Sequence, residues 1–169
     1  TLKPENPYAI TKVVCEYYIR YFCKENDIKY TILRYGNVFG PRDTVASDHV
    51  IAVFANTFLN GKQPIIHWDG NQTKDFIFVN DVARANMLSL ERGTNKTFNI
   101  SSGEPRTINE IYNIISDYLA IKTLPVFGNK RKGDVKEAYF NILKANEKLG
   151  WKPKNSFKID LKKTLDWYI

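Results

Sequence analysis

Tyr8 and Lys12, four apart in NPYAITK, are the residues of this chain best suited to moving a proton. Positions i and i+4 share one face of a helix. The Lys12 ammonium can therefore lie close to the Tyr8 phenol. A free phenol loses its proton at about pH 10. Positive charge beside it stabilises the phenolate and lowers that value. Reaching neutrality takes roughly 3 pKa units, or about 4 kcal/mol of differential stabilisation. The product would be a general base for a substrate hydroxyl. On spacing alone, an ordinary helix with an exposed lysine is much the commoner case.

The elements that must carry this pair follow from pattern and punctuation. Pro7 precedes a helix expected from Tyr8 to about Asn26, with Ile10, Val13, Val14, Tyr17, Tyr18 and Phe22 in one broad apolar stripe. A β-branched and aromatic strand follows over 29–35, then a loop over 36–48 punctuated by Gly40 and Pro41. Residues 50–59 read as a helix closed by Gly61. A short strand over 64–67, a polar turn over 68–74 and a strand over 75–79 come next. A helix over 81–91, which Asp81 is expected to cap, leads to a strand over 97–100. Thr107 and Glu110 form a T-x-x-E capping box for a helix to about Leu119. A strand over 124–127 follows, then a helix over 143–149 stopped by Gly150, with Pro153 beyond. A last helix is expected behind Ser156 as its cap. Strands alternating with helices predict an α/β fold.

Several stretches then occur in a telling order: PYAITK, YTILRYGNVFGPRD, DGNQTKDFIFVNDVARAN, FNISSGE, RKGDVKEA and ANEKLGWKPK. Together they resemble the extended short-chain dehydrogenase/reductase family, in its NAD-dependent epimerase/dehydratase branch. The pattern is nearest to the UDP-glucose 4-epimerases, and the resemblance covers essentially the whole chain. Such proteins begin with a strand, a G-x-x-G-x-x-G turn and a helix that hold NAD through the pyrophosphate. The nine glycines here, at 36, 40, 61, 70, 93, 103, 128, 133 and 150, do not form that turn. The resemblance therefore implies a C-terminal fragment. Rossmann-like sheet elements and a small substrate lobe would be present, and the main NAD-binding half and an upstream catalytic Ser/Thr would not. Residues 1–47 and 75–103 are assigned to the remainder of the NAD-binding domain, and 48–74 and 104–169 to the nucleotide-sugar lobe.

What the resemblance implies for single residues can be set beside their own chemistry. Tyr8 would be the base that takes the sugar 4-hydroxyl proton, and Lys12 would lower its pKa and bond the nicotinamide ribose; both would touch NAD. Asn37, in YGNVFGP, would donate to sugar-nucleotide phosphates, although an Asn after Gly36 also suits a turn. Lys74 stands where many members carry an Arg that grips the pyrophosphate. A lysine brings the charge without the bidentate fork, and a surface turn residue is the other reading. Arg131 and Asp134, in RKGD, would bind pyrophosphate and ribose respectively; without the family this is an exposed turn. His67 would stack on uracil, or simply end its strand. The implied activity is transient NAD-dependent oxidation at sugar C4, as in a UDP-glucose/UDP-galactose 4-epimerase. Sugar dehydratases and decarboxylases of the same family, or a non-catalytic binding module, are the alternatives. The isolated chain is expected to be inactive. The implied partners are a UDP-sugar and a second copy of the chain, through the first helix.

Bulk properties narrow the classes further. With 43% hydrophobic and 25% charged residues, the chain suits one soluble globular unit. No apolar run approaches the roughly 20 residues of a membrane helix, so no membrane partner is expected. The net charge is +7. The stretch from Lys122 to Lys163 alone holds twelve Lys/Arg against four Asp/Glu. No zinc finger, RRM signature or helix-turn-helix accompanies these charges, so most are read as solvated helix faces and no nucleic acid is expected. Cys15 and Cys23 lie eight apart, about 12 Å of helical rise, too far for a mutual disulfide. No metal site is expected, and buried or half-buried free thiols suit a reducing cytoplasm.

Overall fold

A computed structural model describes residues 3–169. The first helix, α1 (Pro7–Glu25), starts where Asn6 accepts a hydrogen bond from the Ala9 N–H at 2.8 Å, with Pro7 at its first position. There follow β1 (Thr31–Tyr35), β2 (Asn37–Phe39), a single 3-10 turn (Val45–Ser47), α2 (Val50–Leu59) and β3 (Ile65–His67). The chain continues through β4 (Thr73–Phe78), α3 (Val79–Ser89), β5 (Lys96–Ile100), β6 (Pro105–Thr107) and α4 (Ile108–Leu119). It closes with β7 (Val126–Gly128), α5 (Leu143–Leu149) and α6 (Phe157–Tyr168). This is the α/β architecture expected from the sequence.

Strand pairing is mostly parallel: β1 with β5, β2 with β4, and β3 with β7; β6 adds antiparallel to β4. Gly36 is the hinge of this arrangement. Its N–H still bonds the Ile100 carbonyl at 2.9 Å, while Asn37 next to it already pairs with Phe76 of β4. A Cβ at Gly36 would lie 2.0 Å from Ser101 Oγ and 2.9 Å from the Asp75 carbonyl oxygen, so only glycine lets the strand cross here.

Two cores flank β4. Phe76 and Phe78 join Phe39, Phe54, Phe58 and Ile111 under α2, α4 and α6, while Ile77 faces Phe98, Leu149 and Trp151. A strand covered on both faces reads as a continuous apolar run, which is why DFIFV does not alternate. Trp151 is fully buried, and its Nε1 donates to the Asp81 carbonyl at 2.9 Å.

Several expectations need correction. The 36–48 loop contains β2 and the 3-10 turn, and β6 lies just before α4; three-residue strands are too short to show a period. Asp81 does not cap α3. It sits inside the first turn, and its carboxylate takes Arg84 Nη2 at 2.7 Å and the Lys154 N–H at 3.2 Å, anchoring a segment far along the chain. Ser156 precedes α6 but makes no side-chain cap; its carbonyl accepts from Ile159 and Asp160 instead. Cys23 is buried, whereas Cys15 is exposed; both thiols are free. The apolar stripe of α1 faces outward among the described residues: Ile10, Val14, Tyr17, Tyr18, Tyr21 and Phe22 are exposed. What α1 turns inward is Glu16, which takes Arg34 at 2.5 and 2.6 Å and Arg20 at 3.1 Å. Among the described residues, no helix is long and apolar enough to cross a membrane.

Candidate functional site

A cavity of about 120 Å³ opens where β2, the start of α2, the end of β3 and the 131–134 turn meet. Asn37, His67, Lys74, Arg131 and Asp134 all line it. These residues come from four separate stretches of sequence. Asn37 follows the C-terminal end of β1 across Gly36, and His67 ends β3. Open parallel sheets bind ligands at that end of their strands.

The Asn37, His67 and Arg131 side chains have hydrogen-bond partners in the chain. The Asn37 Nδ2 donates to the Asp75 carbonyl at 3.0 Å. Asp75 is fully buried, and its carboxylate accepts from the Ser102 and Gly103 N–H groups, the Ser102 hydroxyl and the Phe140 N–H at 2.6–3.1 Å. It thereby ties Asn37's neighbour on β4 to the segment that follows the 131–134 turn. His67 Nδ1 lies 3.2 Å from the Asn129 carbonyl. The Asp134 N–H donates to the Arg131 carbonyl at 3.2 Å, which closes the turn carrying both residues.

Sequence reasoning missed Asp48, His49 and Gln72, which share the lining. Asp48 takes Arg131 Nη1 at 2.5 Å and Nη2 at 3.4 Å. Its loop is fastened through Asp43, whose carboxylate takes the Thr44 N–H at 2.9 Å, the Ser47 hydroxyl at 2.7 Å and His49 Nδ1 at 3.0 Å. The Asp43 carbonyl accepts from the Tyr168 hydroxyl at 2.7 Å. Burial, then the nearby Asp43 charge, push the Tyr168 phenol up to about 12. Nothing local marks Asp48, because its partner is 83 residues away. The cavity thus pairs two cations, Lys74 and Arg131, with two carboxylates, Asp48 and Asp134. An anion that binds the same edge of Arg131 would compete with Asp48 for it.

Tyr8 and Lys12 do not line this cavity. They do share a helix face: Lys12 Nζ lies 5.2 Å from the centroid of the Tyr8 ring, and the ring is 71% exposed. No group of three or more His, Cys, Asp or Glu among the described residues could hold a metal ion.

Known proteins share this fold. Residues 1–101 match the NAD dependent epimerase/dehydratase family. A crystal structure of UDP-glucose 4-epimerase with UDP-glucose from Thermotoga maritima superposes with a TM-score of 0.95 at 39% identity, over 98% of this chain and 54% of that one. A UDP-N-acetylglucosamine 4-epimerase from Methanobrevibacter ruminantium, in complex with UDP-N-acetylmuramic acid, gives 0.93 at 37% identity, over 99% and 55%. The UDP-glucose 4-epimerase of Mycolicibacterium smegmatis is 29% identical over 169 residues, 99% of this chain and 54% of its own length. The chain spans about half the length of the curated relatives it matches. By sequence and by fold, it belongs to the NAD-dependent epimerase/dehydratase family.

Proposed function

We propose that this chain is the sugar-nucleotide-binding part of an NAD-dependent nucleotide-sugar 4-epimerase, of the UDP-glucose/UDP-galactose type. The observation that carries the reading is the meeting of Asn37, His67, Lys74, Arg131 and Asp134 in one cavity. A guanidinium, an ammonium and an amide N–H group suit a diphosphate. A carboxylate in the same lining suits ribose hydroxyls, and an imidazole can lie against a base. Relatives solved with UDP-sugars support the choice of ligand class.

In this reading Tyr8 takes the proton of the sugar 4-hydroxyl and Lys12 holds positive charge beside the phenol. The exposed Tyr8 ring leaves its hydroxyl free for such a partner. NAD, when bound, supplies a hydride acceptor and donor for sugar C4. Only part of its site fits residues present here: Tyr8, Lys12, and a β1 edge that, among the described residues, pairs with β5 alone. Residues 1–47 and 75–103 belong with that cofactor domain, and 48–74 and 104–169 with the sugar-nucleotide lobe. The outward apolar face of α1 is a dimer contact, and free thiols at Cys15 and Cys23 suit a reducing cytoplasm. The 169-residue chain alone binds sugar nucleotide without turning it over.

The test is interconversion of UDP-glucose and UDP-galactose by the longer protein that contains this sequence. Tyr8→Phe should lower turnover by about 10²–10⁴-fold while leaving UDP binding intact. Near wild-type turnover in that variant, or turnover by the 169-residue chain alone, would overturn the assignment.

A further inference from the structure

Gln72 is only 4% exposed and lines the same cavity. Its Nε2 donates to the His67 carbonyl at 2.8 Å. Its Oε1 is buried and meets no donor among the described residues. Turning the amide over would set that oxygen against a carbonyl oxygen, so the hydrogen bond to His67 fixes which atom is left over. Buried amide oxygens are almost always paired, and leaving one bare is costly. The lining it shares includes the nearly buried apolar side chains of Ile51, Phe54, Phe76 and Ile108. A ligand in the cavity can supply the missing donor.

We propose that Gln72 reads the base of the bound nucleotide, its Oε1 accepting from a protonated ring nitrogen of a uracil-type imide. This rests on the cavity being a nucleoside-diphosphate site. On such a ligand the donors are ribose hydroxyls and base N–H groups; the diphosphate has none. Gln72 is bonded to the backbone of His67, the residue proposed to lie against a base, and the apolar side chains in the lining suit a flat heterocycle better than a polyol. A uracil-type ring presents an N–H at the imide position. A cytosine-type ring presents a lone pair there, which would oppose Oε1. Sites built to hydrogen-bond one group reject the analogue lacking it more strongly than apolar contacts can.

The experiment is calorimetric titration of the 169-residue chain with UDP, CDP and N3-methyl-UDP, repeated on Gln72→Met, which is close in size and has no acceptor oxygen. Wild type should prefer UDP over both others by about tenfold or more, the worth of one buried hydrogen bond. In Gln72→Met the preference over CDP should fall towards one. Equal wild-type affinity for UDP and CDP, or for UDP and N3-methyl-UDP, overturns the role of Gln72 and leaves the diphosphate site standing. So does an unchanged UDP/CDP ratio in a folded Gln72→Met. Should that variant not fold, the wild-type comparison decides alone. Binding of neither UDP nor CDP would overturn the reading of the cavity itself.

Discussion

Asp48 and Arg131 bind each other inside the cavity, at 2.5 Å, with side chains 64% and 47% exposed. Exposed pairs of this kind contribute about 0–1 kcal/mol. Removing Asp48 therefore costs the fold little and frees the guanidinium. Asp48→Asn should tighten UDP binding, by up to about fivefold on that scale. Weaker binding in a calorimetric titration would show that Asp48 helps the ligand and does not compete with it. Asp134→Ala, by contrast, should weaken UDP and uridine alike, because its proposed contact is to ribose. The sequence made Arg131 and Asp134 readable because they stand together in RKGD. It could not make Asp48 or Gln72 readable: one is defined by a partner far along the chain, the other by a bond it does not make.

At the level of elements, signals contained within one turn of chain were legible and those completed at a distance were not. Thr107 and Glu110 form the reciprocal capping box, at 3.0 and 2.7 Å, as their spacing implies. Thr107→Ala should destabilise the fold by about 1 kcal/mol in urea unfolding. Asp81 looked like a cap residue and Asp75 like the start of its strand, because their true partners, Lys154 and Phe140, lie far downstream. Asp75→Ala would strand four donors and should cost at least about 3 kcal/mol, since single bonds to a charged group are worth about 1.5–3 kcal/mol. A loss below about 1 kcal/mol would contradict its structural role. At the end of α6, Tyr168 has its pKa raised by burial to about 12. A phenol raised in the folded state contributes stability that is whole below its unfolded pKa of about 10 and lost as pH rises through the folded value. Stability should therefore decline between pH 10 and about 12, and Tyr168→Phe should remove part of that decline in alkaline melts.

For the molecule as a whole, the α/β order was legible because its helices carry their own period and its longer strands are runs of β-branched and aromatic residues. The sheet was less so: the crossing at Gly36 from β5 to β4 depends on contacts with Ser101 and Asp75 that no local pattern records. The outward face of α1, where Val14, Tyr17, Tyr18 and Tyr21 line one hollow, should make the chain associate in solution. Light scattering should give a mass above 19.6 kDa that falls in a Val14→Lys, Tyr18→Lys double variant. In the proposed function, separate stretches of the chain build one diphosphate site. Calorimetric titration of UDP and of uridine, on wild type and on Arg131→Ala, tests it most directly. The account predicts that the substitution weakens UDP by about tenfold or more, as expected for a lost charge-assisted bond, and leaves uridine almost unchanged. It also predicts that wild-type affinity for UDP falls as salt rises. Equal losses for UDP and uridine would contradict it.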